Sequence, residues 1–298
     1  MNLGGLVILD QTIELATDVS EAFISNQGDG MLGLAFGGNN SVKRTKVATP
    51  VENMILQGDI PNCSELFTAW LSNRSEPSFF TFGYIDNKAL GGQELSWTPI
   101  DKQDGFWLLD SSIAQIAGNF FERPNNIAMP DTGTTLCLVE DAFCTKMYSS
   151  IPGATYDKSQ QGWVFPTTTD LSTLPKICLS IGWNQLFQIK PADLAFQDLE
   201  NGFTYGGIQS RGNNPWDVLG CVFLRSVYAV FDQGRSRFGC VQRDLPTQLR
   251  LPLQAPLQPE FQQLPPTSFG DPPKRKAKRS KRLRVLDCCA GAGSGGDR

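Results

Sequence analysis

Short runs of alternating apolar and polar residues, separated by Gly, Pro, Asn and Asp, fill the first 243 residues of the chain. This period of two is typical of half-buried strands that are joined by turns. Strands are predicted most clearly at residues 77–85, 95–100, 163–166, 177–181 and 226–231. The pattern therefore predicts a mainly β protein with many short strands.

Helices are predicted at only two places, and both are short. Thr49 and Pro50 precede an apolar run at residues 51–56, which is the signature of an N-cap followed by Pro at the first helical position. The second predicted helix covers residues 141–148.

The composition changes after residue 243. Residues 246–273 carry eight prolines with little periodicity, and residues 274–284 hold eight Lys or Arg in eleven positions. We therefore expect a disordered tail without packed structure from 244 to 298. The basic run has two interpretations: a nuclear-targeting or nucleic-acid-binding segment, or a solvated end with no selected role.

The absence of histidine narrows the possible chemistry. It excludes Ser–His and Cys–His nucleophile pairs, a His general base and every zinc site that contains His. The net charge of −4 divides into −9 for residues 1–243 (16 Lys+Arg against 25 Asp+Glu) and +5 for residues 244–298 (10 against 5). An acidic body of this kind argues against nucleic-acid binding outside the tail.

The eight cysteines include no Cys-x-x-Cys pair, so a zinc ribbon or a thioredoxin-type site is not expected. Cys137 and Cys144 could close a short local loop. Three N-x-Ser/Thr sequons, at Asn39, Asn62 and Asn73, mildly favour secretion. The first residues show no signal-peptide pattern, and no apolar run is long enough to span a bilayer.

The best candidate for chemistry is the run at residues 126–136, in which an apolar approach leads to Asp131-Thr132-Gly133-Thr134. A glycine at 133 allows close backbone approach, so that amide N–H groups and the Thr132 and Thr134 hydroxyls can hydrogen-bond one carboxylate. An ordinary turn containing Asp is the alternative interpretation of the bare tripeptide.

Several further segments, in a fixed order, give the chain a resemblance to the pepsin-like aspartic endopeptidases, and to their fungal members in particular. The resemblance covers roughly residues 6–243. The segments that carry it, besides the Asp-Thr-Gly run, are residues 80–86, 97–100, 203–209, 217–220, 226–232 and 236–239.

The resemblance implies a bilobal pepsin-like fold with an incomplete N-terminal lobe. Residues 1–95 would form that partial lobe together with strands between the lobes, and residues 96–243 would form the C-terminal lobe, followed by the tail. Asp131 would be one of two catalytic aspartates, with Thr132, Gly133 and Thr134 as the shell that orients it. The supporting loop packed beneath it would comprise Val218, Leu219 and Gly220.

The same resemblance implies an acid-pH endopeptidase that acts on peptides or proteins without a metal or organic cofactor. The expected protein is a monomer that is extracellular or vacuolar, with no membrane span and no nucleic-acid partner for its body. Two aspartates held close together cannot both ionise, so one would keep a proton while the other activates a water.

The chain departs from the family pattern in its first part. Residues 29–34 match the segment that lies under the first Asp-Thr-Gly loop of the family, and they are echoed in outline by residues 217–222. Only 28 residues precede Asp29, and they contain neither an Asp-Ser/Thr-Gly nor a flap tyrosine.

Three interpretations follow from this departure. The chain is an endopeptidase that lacks its N-terminal third, a non-catalytic peptide-binding relative, or a protein in which two copies of Asp131 form one catalytic pair. The first is the main hypothesis.

Smaller departures lie in the C-terminal lobe. Pro130 precedes Asp131 where the family usually has a small apolar residue. Thr167 and Thr204 occupy the positions that often carry the family's disulfide, so that bridge is expected to be missing.

Overall fold

The computed structural model describes residues 1–19, 21, 28–40, 46–72, 77–244 and 249–250. Within these ranges the chain forms mostly short strands, which in order are β1 (Asn2–Leu3), β2 (Leu6–Val7), β3 (Leu66–Trp70), β4 (Phe79–Phe82), β5 (Ser96–Pro99), β6 (Leu109–Asp110), β7 (Ile113–Ile116), β8 (Asn119–Glu122), β9 (Ile127–Pro130), β10 (Cys137–Val139), β11 (Thr155–Asp157), β12 (Gly162–Pro166), β13 (Ile177–Ser180), β14 (Gln185–Gln188), β15 (Ala195–Asp198), β16 (Phe203–Gly206), β17 (Ile208–Ser210), β18 (Asp217–Leu219), β19 (Val227–Asp232), β20 (Arg237–Gln242) and β21 (Leu249–Arg250).

The described helices are few and none exceeds eight residues. The α-helices are α1 (Pro50–Gln57), α2 (Asn87–Leu90), α3 (Asp141–Tyr148), α4 (Pro191–Leu194) and α5 (Cys221–Leu224), and single 3₁₀ turns occur at Gly37–Asn39, Gln103–Gly105 and Leu171–Thr173. In these ranges no helix combines the length and the apolar character that crossing a membrane requires.

Local chemistry explains where α1 begins and ends. The Thr49 hydroxyl accepts from the Glu52 N–H, and the Glu52 carboxylate accepts from the Thr49 N–H at 2.9 Å, which is a complete capping box. The helix ends at Gly58, whose φ of 73° is a left-handed conformation that glycine adopts without strain.

A five-stranded antiparallel sheet, here called the central sheet, joins the first and last parts of the body. Its strand order is β4-β3-β19-β20-β5. All six residues of β19 are buried, and Phe67 of β3 stacks on Phe231 with ring centroids 4.5 Å apart. The Tyr228 hydroxyl donates to Thr68 Oγ1 at 3.0 Å across a separation of 160 positions. The ends of the described body are therefore tied together through the middle of this sheet.

A second five-stranded sheet, here called the Asp131 sheet, has the order β17-β10-β18-β9-β6. It is mixed: β9 runs parallel to β18, while β10 runs antiparallel to β18 and parallel to β17. The largest hydrophobic cluster includes Phe67 and Phe231 of the central sheet together with Cys137 and Leu219 of the Asp131 sheet. One continuous core therefore supports both sheets.

The remaining strands form two larger sheets and a hairpin. Four strands have the order β11-β12-β16-β15, and five have the order β21-β14-β13-β7-β8. Strands β1 and β2 pair with each other near the chain start.

The strand and helix predictions are confirmed. Each of the five predicted strand regions contains a strand, namely β4, β5, β12, β13 and β19, and both predicted helices are present as α1 and α3. The tail prediction needs a correction at one point, because β21 pairs with β14 inside the segment that we expected to lack packed structure. Residues 245–248 and 251–298 lie outside the described residues.

Two other expectations differ from the structure. Cys137 and Cys144 are free thiols and do not close a local loop. Both are buried, and burial raises the pKa of each thiol, so these cysteines behave as small apolar core residues. The internal echo is not structural either: residues 217–219 form a strand, whereas residues 29–34 form none.

Candidate active site

Asp131 directly follows the C-terminal end of β9, an interior strand of the Asp131 sheet. The parallel pairing of β9 with β18 sets Pro130 opposite Leu219, and the Asp131 N–H then donates to the Leu219 carbonyl at 3.1 Å. This bond extends the β9–β18 pairing by one residue. The backbone of Asp131 is therefore fixed by the sheet, while its side chain stays partly exposed.

The turn after Asp131 holds the carboxylate by both oxygens. The Gly133 N–H donates to Oδ1 at 2.9 Å, and the Thr134 hydroxyl donates to Oδ2 at 2.5 Å. Thr134 is buried and Gly133 is exposed. Thr132 lies on the wall of the cavity described below. A carboxylate held at both oxygens has a defined orientation, which general acid–base chemistry requires.

The segment Val218-Leu219-Gly220 packs against this turn. Val218 and Leu219 are buried in β18, and the chain then passes so close to the turn that an added Cβ at Gly220 would lie 2.2 Å from the Leu136 carbonyl oxygen and 2.4 Å from that of Thr134. Immediately afterwards the Cys221 N–H donates to the Thr134 carbonyl at 2.7 Å. Glycine at position 220 is therefore a steric requirement of this contact.

Pro130 fits the sheet because its missing N–H lies where no partner is needed. Successive backbone N–H groups of a strand point to opposite sides, and the Asp131 N–H points toward β18, so the Pro130 nitrogen points toward β6. The pairing of β6 with β9 reaches only to Ala128. The proline therefore costs no ladder hydrogen bond at this position.

A cavity of about 930 Å³ opens in front of Asp131. Its walls are largely apolar, and Asp131 is the one carboxylate among the described residues that line it. The apolar lining residues include Leu3, Leu6, Met31, Leu32, Leu34, Phe67, Phe80, Phe82, Phe106, Trp107 and Phe231. A large apolar cavity that contains one oriented carboxylate is suited to binding an extended organic ligand such as a peptide.

Residues 31–35 form one part of the cavity wall. Trp107 anchors them, since its Nε1–H donates to the Leu34 carbonyl at 3.1 Å and its ring packs on Phe36 with centroids 4.5 Å apart. Met31 and Leu32 remain exposed to 75% and 40%. Two large apolar side chains in solvent beside a cavity mark a surface that is suited to a further contact.

A buried ionic network lies at the other end of β9 and β18, and sequence reasoning missed it. Asp217 accepts from Arg123, from Arg211 at 2.8 Å and from the Asn126 amide at 2.9 Å. Arg123 also donates to the carbonyl and hydroxyl of Ser111, at 2.8 Å each. Asp217 and Arg123 are both fully buried at their side chains. The network therefore ties the beginnings of the two strands whose ends position Asp131 and Gly220.

Thr167 and Thr204 are neighbours in space. The Thr204 hydroxyl donates to Thr167 Oγ1 at 3.2 Å. Among the described residues no group of three or more His, Cys, Asp or Glu side chains is arranged to hold a metal ion.

Several known proteins are similar to this chain. A model described as "Eukaryotic aspartyl protease" matches residues 1–243. Aspergillopepsin-1 from Aspergillus pseudoglaucus is 33% identical over 240 residues, which cover 80% of this chain and 59% of that protein. Aspartic protease pepA from Arthroderma gypseum is 32% identical over 255 residues, which cover 80% of this chain and 60% of that protein.

A similar fold occurs in a solved structure. The aspartic proteinase from Irpex lacteus superposes with a TM-score of 0.65 and 23% identity, over 81% of this chain and 75% of that chain. The present chain thus spans about three fifths of the length of these two curated relatives.

Proposed function

The chain belongs to the eukaryotic aspartyl protease family, and from this membership we propose that it acts as an aspartic-type endopeptidase. The observation that carries the proposal is the Asp131 carboxylate, held by the Gly133 N–H and the Thr134 hydroxyl at the wall of an open apolar cavity.

Asp131 would act on the peptide bond through water. In its ionised form it takes a proton from a bound water molecule, whose oxygen then adds to the scissile carbonyl carbon. In its protonated form it instead donates its own carboxyl proton to the carbonyl oxygen. Its two hydrogen bonds keep the carboxylate plane fixed while the proton moves. Thr132 would contact the substrate backbone, since it lines the same cavity.

Catalysis of this type needs a second carboxyl group opposite the first, because a single group cannot be both proton donor and proton acceptor in one step. The described residues place only Asp131 at the cavity. The sequence contains one Asp-Thr-Gly and no Asp-Ser-Gly. We therefore propose that the second carboxyl comes from a family segment that is not contained in these 298 residues, and that it enters the cavity beside Met31 and Leu32.

A graft tests the proposal directly. The mature N-terminal residues of Aspergillopepsin-1 that precede its match to this chain are fused in front of residue 1, and cleavage of an internally quenched peptide is measured in mild acid with and without pepstatin. Asp131→Asn should lower kcat/KM by about 10²–10⁴-fold. Asp170→Asn is the matched control, since Asp170 is exposed and its capping contact to the Ser172 N–H is one that Asn also makes.

The 298-residue chain without the graft is assayed in parallel. We expect no pepstatin-sensitive cleavage from it. Activity that survives Asp131→Asn in the graft would overturn the role given to Asp131, and activity of the ungrafted chain would overturn the need for an external carboxyl.

A peptide-binding protein without catalysis is the second candidate. The observation that favours it is the same single carboxylate in a cavity whose walls are largely apolar. Peptide binding by the ungrafted chain, measured by fluorescence anisotropy and unaccompanied by cleavage, would support this alternative.

The family and the three sequons also support a place for this protein outside the cytosol, either extracellular or vacuolar. We propose peptide or protein substrates and a monomeric state, which light scattering would test. No metal or organic cofactor enters the proposed chemistry.

A further inference from the structure

One sequon lies on an exposed turn that the proposed function does not use. Pro61, Asn62, Cys63 and Ser64 form a β-turn in which the Ser64 N–H donates to the Pro61 carbonyl at 2.7 Å. Asn62 and Cys63 are exposed. Among the described residues no hydrogen bond engages the Asn62 side chain. The amide of Asn62 is therefore free to carry a substituent without the loss of a contact.

Turns of this kind are suited to N-glycosylation. The transferase joins Asn Nδ2 to the anomeric carbon of a lipid-linked oligosaccharide diphosphate. The bond between that carbon and the lipid diphosphate breaks, the lipid diphosphate leaves, and the amide nitrogen loses one proton to the enzyme. The Ser at the third position of the sequon is the remaining requirement, and Ser64 supplies it.

The sequon at Asn39 has a different environment. Asn39 lines the cavity that contains Asp131, and its backbone packs so tightly on Gly105 that an added Cβ there would lie 2.4 Å from the Asn39 nitrogen. A glycan at Asn39 would stand at the mouth of the cavity. Asn62 is absent from the cavity walls, so a glycan at that position leaves access to Asp131 open. The sequon at Asn73 lies outside the described residues.

A glycan on Asn62 would lie beside the thiol of Cys63, the next residue in the chain. Cys63 is exposed, whereas the other free cysteines of the described chain are buried. Arg235 donates to the Cys63 carbonyl at 3.2 Å and so helps to hold the turn in place. An exposed unpaired thiol in an oxidising compartment is prone to form disulfides between molecules.

We propose that Asn62 is an N-glycosylation site and that its glycan shields the neighbouring Cys63 thiol. The proposal rests on the secretory route put forward above, but not on peptidase activity. Both readouts below are measured on the protein itself, so a failure of the proposed catalysis would leave them unchanged.

The test uses the full chain behind a heterologous secretory signal, in yeast and in cell-free translation with microsomes. Asn39→Gln and Asn73→Gln are introduced into every variant to isolate Asn62. Ser64 is then kept, changed to Thr, or changed to Ala. The hydrogen bonds of Ser64 in the turn are made by its backbone, so Ala preserves them.

We expect a glycosidase-sensitive mass shift in the Ser64 and Ser64→Thr chains and none in Ser64→Ala. Enzymatic release of the glycan in heavy-oxygen water should label position 62, as read by peptide mass spectrometry. The microsomal arm does not depend on the final fold. Equal masses for the Ser64 and Ser64→Ala chains in that arm would overturn the site.

Shielding is measured on the secreted protein by the alkylation rate of Cys63, mapped at the peptide level so that its signal is separated from that of the other cysteines. We expect the glycosylated chain to react several-fold more slowly than Ser64→Ala, and enzymatic removal of the glycan should restore the faster rate. Equal rates in the glycosylated and deglycosylated chains would overturn the shielding.

Discussion

Thr167 and Thr204 offer a quantitative test of the placement of β12 and β16. Their hydroxyl oxygens are 3.2 Å apart, although the residues are separated by 37 positions in the chain. Replacing both by Cys should allow a disulfide. For a closed loop of that size, the chain-entropy model gives a stabilisation of about 4 kcal/mol at 25 °C. The lost hydrogen bond between the hydroxyls offsets about 1 kcal/mol of this gain.

The net gain of about 3 kcal/mol corresponds to a rise in melting temperature of about 6–12 °C for a body of this size. The measurement is calorimetric unfolding of Thr167→Cys/Thr204→Cys, oxidised and then reduced, in a Cys63→Ser background that removes the exposed thiol. Each single cysteine variant serves as a control. An oxidised protein with a verified 167–204 bridge that melts no higher than its reduced form would refute the reasoning.

Three further predictions concern the site and its supports. Gly220→Ala should destabilise the protein by about 1–3 kcal/mol, because its Cβ would overlap the Leu136 carbonyl oxygen; chemical denaturation measures this. Asp217→Asn should cost about 3–5 kcal/mol in the same assay, because it leaves the Arg123 guanidinium buried without its charged partner. Burial raises the pKa of the Asp193 carboxyl, so the folded state holds this proton to a higher pH than the unfolded state does. The unfolding free energy should therefore fall as the pH rises from 3.8 through the folded pKa, and the Asp193→Asn variant should lose that component.

The first two of these predictions have matched control variants. Gly30→Ala introduces a Cβ where no atom lies within 4 Å, so its free energy of unfolding should stay within about 0.5 kcal/mol of that of the parent. Asp170→Asn makes the same chemical change as Asp217→Asn at an exposed position. If Gly220→Ala and Gly30→Ala change the unfolding free energy equally, the steric argument at Gly220 is wrong. If Asp217→Asn and Asp170→Asn change it equally, the ionic network does not stabilise the fold. A constant stability difference between parent and Asp193→Asn across the pH range would contradict the pH argument.

The features that the sequence predicted well are those encoded within a few residues. Thr49, Pro50 and Glu52 specify the start of α1 by themselves, because a capping box needs only neighbouring residues. The turn around Asp131 is similarly local, since its two contacts come from Gly133 and Thr134.

The ionic network was not predictable in this way. Arg123 and Asp217 are 94 positions apart, and an isolated arginine or aspartate in a sequence is expected at the surface. Only the parallel pairing of β9 with β18 brings them together. The local pattern of apolar and polar residues does not predict the order of strands in a mixed sheet.

The pattern of residues 29–34 was also insufficient. These residues resemble residues 217–222, but β18 lies between β9 and β10, whereas residues 29–34 pair with no strand among the described residues. A strand forms where backbone partners are present on its sides, and the sequence of the strand alone does not supply them.

The arrangement of the central sheet has a consequence for biosynthesis. Strands β19 and β20 occupy interior positions of that sheet, yet they are among the last parts of the body to leave the ribosome. Until β19 has been synthesised, β3 is paired only with β4, and until β20 follows, β5 has no partner in this sheet. The nascent chain therefore carries an unpaired edge of β3 and an unpaired β5 through most of its synthesis. A premature stop codon before residue 227 would therefore remove both interior strands and, with them, the pairing that joins β3 to β5 in the central sheet.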